Sequence, residues 1–557
     1  MQISSRLTTQ PSDSIDLIFD AILKVRNITS SERDTYLHPP TPTLPMLINA
    51  LSLDPQQLDG VKLLVEKHLK IGSDILIYGD YDADGITATA ILYKTLTHLA
   101  INSDARILPF IPDRTRHGYG ISQRSIDDIQ DGQAFVNTKY SDFSPSLIIT
   151  VDTGIVANSE VQTLRDQNID VVITDHHQSG KALPNANYII HSIVSSGSTV
   201  AWILALSLTN SDQSVFELID LATIGIVADQ IKLTNINRTI VTHGLQKLKE
   251  TNNLGIRQLM KVAKRDLDKL STYDINYALA PRINATGRLT NATTALRLLC
   301  SRVPATIKTL AHEIDKINQE RQDLTQIGID QALKVKPTHK IIITSSPDYH
   351  KGVVGLIAGR LAEKWHRPAL AISLEDDIAK GSARSIGEIN ITNLLRKFES
   401  DFLGLGGHKL AAGFSVQSDK LETLTKKLYE YADKNISDSA LIPTYLVETT
   451  LTLKQTSIKL AKLLTQLAPF GRGNPQPKFT SHNLIVIEDK KLGNGGIHHR
   501  LTLEQDGVTR EAIWFNCASN LPAGRQVQSV KELVYTLNIN LWQGKESLQL
   551  VVKHADI

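Results

Sequence analysis

The apolar positions of this chain change rhythm four times. From about residue 70 to 230, short runs rich in Ile and Val, "DILIYG", "LIITVD" and "VVITD", read as strands. Helical candidates such as "ITATAILYKTLTHLA" and "ANSEVQTLRDQN" lie between them. Alternating β and α predicts a parallel sheet with helices on its faces. Residues 231–335 look mostly helical and include "ATIKTLAHEIDKINQERQDLTQIGIDQALK", long enough to bridge two lobes. A strand at "HKIIITSS" opens a second α/β unit that runs to about 435. From about 450, "LIVIED", "HHRLTLEQ", "REAIWFN", "LVYTLNINLW" and "SLQLVVK" alternate with turns and predict a small β-barrel. The proline-rich "LHPPTPTLP" sets off a partly helical start. The expected organisation is an N-terminal segment 1–50, a parallel-sheet domain 51–230, a helical connector 231–335, a second α/β domain 336–435 and a barrel domain 436–557. The fold class is α/β.

Composition narrows this little. With 557 residues, no unit is short of core. The chain is 41% hydrophobic and 21% charged, which is ordinary globular composition. A formal net charge of +2 argues against a uniformly basic coat, and leaves both nucleic acid and small anions open. Aromatics are only 5%, so any stacking surface for bases is built from few rings. Cys300 and Cys517 are far apart, without metal-ligand spacing. That excludes a disulfide framework and a zinc–thiolate site, and points to a reducing compartment. The start lacks a signal-peptide core, and no apolar run approaches the ~18–20 residues that span a bilayer. A cytoplasmic protein with no membrane role is expected.

The acids change the picture. "ILIYGDYDADG" puts Asp80, Asp82 and Asp84 just after a strand, with Gly85 opening a helix. "LIITVDTG" ends a strand on Asp152, and "VVITDHH" ends one on Asp175, His176 and His177. "ATIGIVADQ" brings Asp229 after a further apolar, β-like run. Each has a bland explanation: a polar turn, a surface His pair, a helix cap at Asp152. Together they converge, because open parallel sheets bind ligands at the carboxyl ends of their strands. So many carboxylates cannot ionise side by side unless cations join them. Carboxylates with imidazoles and no thiolate favour Mn²⁺ or Mg²⁺. Two such ions activate water for an in-line phosphoryl displacement, with no serine or cysteine nucleophile.

At these residues the chain resembles the DHH phosphoesterase superfamily, and within it the RecJ family of single-stranded-DNA exonucleases. "GDYDADG", "VDTG", "DHH" and "VAD" look like its four metal motifs in order. "PDRTRHGYGI" and "PRINATGR" resemble RecJ-specific stretches. "YHKGVVGLIAGRLAEKWHRP", "GSARS" and "GLGGHKLAAGF" resemble the companion DHHA1 domain. "PFGRGNPQPKF" and "NLWQGKESLQL" resemble the family's OB-fold. The resemblance covers nearly the whole chain. The chain departs from it at His191-Ser192, where relatives carry Asn-Pro, and at "SGSTVAW", in place of a "GAG"-like turn. Both departures are expected to alter loops and to leave the metal motifs untouched. "LPAGRQVQS" looks like a private loop of the barrel.

The resemblance implies a 5′→3′ exonuclease that releases 5′-mononucleotides from single-stranded DNA in repair and recombination. It implies two divalent cations, Mn²⁺ or Mg²⁺, held by Asp82, Asp84, Asp152, His176 and Asp229, with Asp152 as the bridge. Asp80 is a ligand or a base beside one. Asp175 orients an imidazole, and His177 faces the scissile phosphate. Ser382, Arg384 and Ser385 offer a terminal-phosphate site. Gly406, Gly407 and His408 offer an anion nest before a helix. Arg114, Arg282, Asn284 and Arg288 are candidates for gripping the strand. Two lobes would admit one strand and exclude a duplex. Trp514, Phe515, Tyr535 and Trp542 are the barrel's rings, most of them expected in its core. A monomer is expected, with a single-strand-binding protein and a helicase as partners. Two alternatives remain: a DHH phosphodiesterase for short oligonucleotides or cyclic dinucleotides, and an inactive DNA-binding scaffold.

Overall fold

The computed structural model describes residues 2–7, 14–136, 140–375, 377–493, 496–517 and 527–557. The chain forms two compact units, Thr41–Leu441, and Met1–Pro40 together with Ile442–Ile557.

In the larger unit, β1 (Asp74–Tyr78), β2 (Arg106–Phe110), β3 (Leu147–Val151), β4 (Asp170–Asp175) and β5 (Tyr188–His191) form a wholly parallel sheet in the order β2-β1-β3-β4-β5. β1 and β3 are buried along their whole length. A sheet covered on both faces selects unbroken apolar runs, which is why these strands show no alternation. The chain leaves β1 on one side for β2 and returns on the other as β3. That reversal opens a crevice at the carboxyl ends of β1 and β3. Helices α1 (Ala83–Leu99), α2 (Gly197–Leu208) and α3 (Ile219–Ala228) pack against one another, with α2 and α3 buried on nearly every side.

Beyond α3, α4 (Ala280–Leu289) and the 29-residue α5 (Pro304–Ala332) lead to a second sheet. Its strands are β6 (Ile342–Ser346), β7 (Ala369–Ser373), β8 (Ile378–Arg384), β9 (Gly404–His408) and β10 (Ala411–Gln417), in the order β9-β10-β8-β7-β6. Only β6 and β7 run parallel. Helix α6 (Val354–Trp365) packs on β7 and β8.

The smaller unit is a closed barrel. β11 (Phe479–Leu492), β12 (His498–Gln505), β13 (Val508–Trp514), β14 (Ser529–Trp542) and β15 (Lys545–Asp556) pair in the order β11-β12-β13-β15-β14, and β14 returns to β11. Closure removes the free edges that an open sheet leaves. Strand Gln2–Ser5 pairs with Thr444–Val447. Helix Ile15–Val25 places Ile18, Phe19, Ile22 and Leu23 in the barrel's core cluster. The start of the chain, expected as a segment of its own to residue 50, therefore packs with the barrel as far as Pro40. An apolar stripe shows that a helix needs a partner, and does not say which.

In the barrel, Trp514 and Tyr535 are buried, while Phe515 and Trp542 are exposed. In the stretch Leu521–Ser529, residues 521–526 lie outside the described residues. Among the described residues, no helix is long and apolar enough to cross a membrane.

Candidate metal centre

The crevice collects the acids by short-range means. Asp82 caps α1, its Oδ1 accepting from the N–H groups of Asp84 at 2.9 Å and Gly85 at 3.1 Å. Asp84, in the first turn, is aimed back across the crevice. Its two oxygens accept from the N–H groups of Gly197 at 2.7 Å and Ser198 at 3.0 Å, at the start of α2. A buried carboxylate is thus held against the positive end of a helix. Asp152 follows β3 with φ 61°, a left-handed conformation that Asp and Asn tolerate better than most residues. It caps no helix, since the next one begins at Asn158. Asp229 ends α3. The apolar run before it was expected as β-like, and it is a helix buried on every side, which carries no periodicity to give it away.

These groups meet around one imidazole nitrogen. His176 Nε2 lies 3.1 Å from Asp152 Oδ1, 3.7 Å from Asp84 Oδ2 and 3.7 Å from Asp229 Oδ2. Asp84, His176 and Asp229 offer ligand atoms all within 4.8 Å of one another, and so do Asp80, Asp82 and Asp152. Asp152 Oδ1 and His176 Nε2 are buried with no hydrogen-bond partner. Donors held about 2.1 Å from a small octahedral dication lie about 3 Å apart. Two buried ligand atoms without a hydrogen-bond partner, 3.1 Å apart, therefore have the spacing that a shared cation requires.

Electrostatics agree. Burial and the neighbouring Asp84 push Asp82 up, and the same pair of causes pushes Asp152 well up. Burial and Asp82 push Asp80 up to about 7. Burial lowers His176 despite Asp84, which favours the neutral imidazole that ligates metals. Burial also opposes charge on His177, but the hydrogen bond and charge of Asp175 outweigh it and hold that imidazole up at about 9. Asp175 Oδ1 meets His177 Nδ1 at 2.8 Å. Asp175 thus orients the ring of His177 and meets His176 only at its backbone N–H, at 2.6 Å.

A pH test follows. An aspartate whose folded pKa is raised carries no penalty below its unfolded value near 3.9, and destabilises the fold as pH rises through the folded value. His177 acts with the same sign, because stability present below 6.5 is lost as pH climbs through about 9. Asp175 is lowered, so its contribution changes only in acid, and His176, also lowered, opposes the trend only up to its ordinary value near 6.5. In EDTA the Tm is expected to fall between about pH 6.5 and about pH 9, and Mn²⁺ to raise it more at the alkaline end. A metal-free Tm that stays flat or rises over that range would refute the crowding of charge described here.

Beside this centre lies a cavity of about 970 Å³ between the two sheets of the larger unit. Arg114, Arg288, Arg384, Ser382 and Gly406 line it, together with His350, Lys351 and Lys380. Burial, then Arg114 and Arg384, push Arg288 down to about 10, and burial and Arg114 lower Arg384. Cations that crowd one another in this way invite an anion. The Arg384 guanidinium donates to Ser382 Oγ at 2.8 Å, so the two act together. Arg114 lies 5.5 Å from the Tyr81 ring centroid, one residue from Asp80, which joins the cavity to the metal centre.

Other expected members stand elsewhere. Arg282 pairs with Asp315 at 2.8 Å. Asn284 accepts from the N–H of Ala83 at 2.7 Å and so braces the acidic loop rather than a strand. Ser385 Oγ donates to the Ile389 carbonyl. "GLGGH" is the strand β9, paired with β10, so the helix expected after Gly406, Gly407 and His408 is absent, while Gly406 lines the cavity. Glycine-rich sequence permits a close strand as readily as an anion turn. The two departures also touch the centre after all. Gly197 and Ser198 of "SGSTVAW" hold Asp84, and His191 Nε2 meets the His177 carbonyl at 2.7 Å. Tyr119, in "HGYG", belongs to no metal motif and gives no sequence signal of a role at the site. Its hydroxyl lies 2.9 Å from His177 Nε2.

Comparison with known proteins places these sites in a family. The DHH family N-terminal domain matches residues 74–226, the DHHA1 domain residues 338–434 and the RecJ OB domain residues 447–554. The single-stranded-DNA-specific exonuclease RecJ of Bacillus subtilis (strain 168) is 33% identical over 522 residues, spanning 90% of this chain and 64% of that relative. The protein of the same name from Escherichia coli (strain K12) is 30% identical over 536 residues, spanning 89% of this chain and 90% of the relative. The crystal structure of RecJ in complex with Mn²⁺ from Thermus thermophilus superposes with a TM-score of 0.80 at 26% identity, covering 100% of this chain and 79% of that one.

Proposed function

Because the chain belongs to the RecJ family of single-stranded-DNA-specific exonucleases, we propose that it hydrolyses single-stranded DNA from the 5′ end and releases 5′-mononucleotides. The observation that carries this is the cation-lined cavity set directly beside a divalent-metal centre. A terminal phosphate held there leaves the next phosphodiester at the carboxylates.

Asp82, Asp84, Asp152, His176 and Asp229 would hold two divalent cations, Mn²⁺ or Mg²⁺, with Asp152 shared between the two groups of ligands. Such a pair would supply an activated water and stabilise the leaving oxygen of an in-line displacement. Asp80, raised by burial, takes up a proton beside them. His177, kept charged by Asp175, presents Nε2 to the phosphate oxygens, where the Tyr119 hydroxyl now sits. Arg114, Arg288 and Arg384 clamp the terminal phosphate, with Ser382 and the backbone at Gly406 completing the site. The enzyme serves DNA repair and recombination as a cytoplasmic monomer, with a helicase and a single-strand-binding protein presenting the strand. The RecJ-type barrel supports long strands over dinucleotides as substrates, and the convergence of every metal motif speaks against an inert scaffold.

The test uses 3′-end-labelled strands that differ only at the 5′ end. The wild-type chain is expected to release mononucleotides from the 5′ side, and faster from phosphorylated ends. Arg384→Ala is expected to lose roughly tenfold or more in kcat/KM on phosphorylated ends, the value of a charge-assisted hydrogen bond, and far less on hydroxyl ends. Equal losses on both ends reject the clamp. Release from the 3′ side, or preference for a dinucleotide, rejects the assignment.

A further inference from the structure

A feature outside both sites bears on the path of the strand. Tyr273 and Tyr277 are 56% and 65% exposed, unusual for large rings in a chain with so few. Their centroids are 4.5 Å apart at 33° between planes. The Arg265 guanidinium lies 5.9 Å from the Tyr273 centroid, and its Nε is 3.8 Å from Asp274. The Ile275–Leu279 turn between Asp274 and α4 is π-helical, a form that recurs at functional sites because it costs regular hydrogen bonding. Ile275, Ala278 and Leu279 bury one side of this turn, from which Tyr277 stands out, and Tyr273 stands out from the helical turn Thr272–Asp274 just before it.

The position of this pair is what gives it meaning. Asn276, between the tyrosines, accepts from Gln230 Nε2 at 2.6 Å. Gln230 is the residue after Asp229. The segment that carries the rings is thus tied to the residue beside Asp229, whereas the cationic cavity is tied to the acids through Tyr81, beside Asp80. A strand with its terminal phosphate in the cavity and its scissile phosphate at the carboxylates has its next nucleotide to place.

We propose that Tyr273 and Tyr277, backed by Arg265, form a stacking platform for a nucleobase on the 3′ side of the scissile phosphate. This rests on the exonuclease reading above. Every base has a π-face, so the platform grips without reading sequence, and the neighbouring cation suits a polyanion. It also requires a base free of its complement, which favours single strands.

Abasic scanning tests this in two arms, strand binding by fluorescence anisotropy in Ca²⁺ and nucleotide release in Mn²⁺. In the wild-type chain, removing one particular base near the 5′ end is expected to weaken binding roughly tenfold, the value of one stacked base. The double variant Tyr273→Ala, Tyr277→Ala is expected to bind the intact strand about tenfold more weakly and to be indifferent to that abasic position. Tyr273→Phe, Tyr277→Phe is expected to restore both properties, because the faces remain. Both residues are exposed, so the Tm should not move. A double alanine variant that keeps the wild-type abasic profile, or a wild-type profile that is flat, overturns the platform. A wild-type chain that shows the abasic signature in Ca²⁺ and releases nothing in Mn²⁺ supports the platform and sinks the nuclease reading instead.

Discussion

Asp152→Asn is expected to abolish hydrolysis while the protein still folds and still binds single-stranded DNA. The side chain sits where the two groups of ligands meet, 3.1 Å from His176 Nε2, and one of its oxygens has no protein partner. An amide there keeps the shape and removes the negative charge. On the proposed mechanism, loss of this carboxylate should lower kcat by at least about a thousandfold, roughly 4 kcal/mol of barrier. Asparagine is the informative replacement because the backbone at this position has φ 61°. Asparagine accepts that conformation, whereas alanine adds about 1–2 kcal/mol of left-handed strain and confuses stability with catalysis. The direction of the stability change is itself a check. Asp152 is crowded by Asp84, Asp82 and Asp80 in a buried place, so the metal-free variant should melt higher than the metal-free wild type. Mn²⁺ should then raise its Tm less. Digestion of a labelled strand, anisotropy binding and melting with and without Mn²⁺ measure the three effects. Wild-type turnover in Asp152→Asn removes this residue from the mechanism.

Much of the site was legible because its geometry is made by the sheet. Asp80, Asp152 and Asp175 each stand at or just beyond the end of a strand that announces itself by a short run rich in Ile, Leu and Val. A parallel sheet brings such ends to one edge without help from elsewhere. Arg114, Arg288 and Arg384 were found from their chemistry and their motifs. What escaped depends on contacts that no local pattern encodes. Asp229 was found, though on the wrong kind of element, since a helix buried all round and a buried strand read alike. Asn284 and Arg282 lie two residues apart in one helix, yet one turns to the Ala83 backbone and the other to Asp315. Only the packing of α4 decides which. The glycines of "GLGGH" permit several backbones, and pairing with β10 selects one. The first helix of the chain shows an apolar face, and its partner lies more than four hundred residues away.

The turn "SGSTVAW" shows most sharply how packing serves the chemistry, and it yields the second large effect. Gly197→Ala is expected to cost roughly a hundredfold in kcat and to weaken the response to Mn²⁺. A Cβ at Gly197 would stand 2.3 Å from Asp152 Oδ1 and 2.6 Å from its Cβ. Contacts that short are not sustained, so something must move. The Gly197 backbone is pinned, because its N–H serves Asp84 and its neighbour Ser196 caps α2 through Thr199. Asp152 is a short side chain, buried on every side, and is the freer party. Its displacement by about an ångström is enough for a loss of this size in a preorganised site. Gly225→Ala is expected to behave alike, since a Cβ there would meet Ser198 Oγ at 1.9 Å and Asp84 Oδ1 at 2.2 Å. Gly387→Ala is the control, with nothing within 4 Å of the added atom. Activity titrated against Mn²⁺ separates the outcomes. A lower plateau and a higher half-saturating concentration for Gly197→Ala, with Gly387→Ala unchanged, show that absent side chains shape the metal centre. Wild-type curves for Gly197→Ala would mean that the carboxylates are not held where the backbone of α2 now places them.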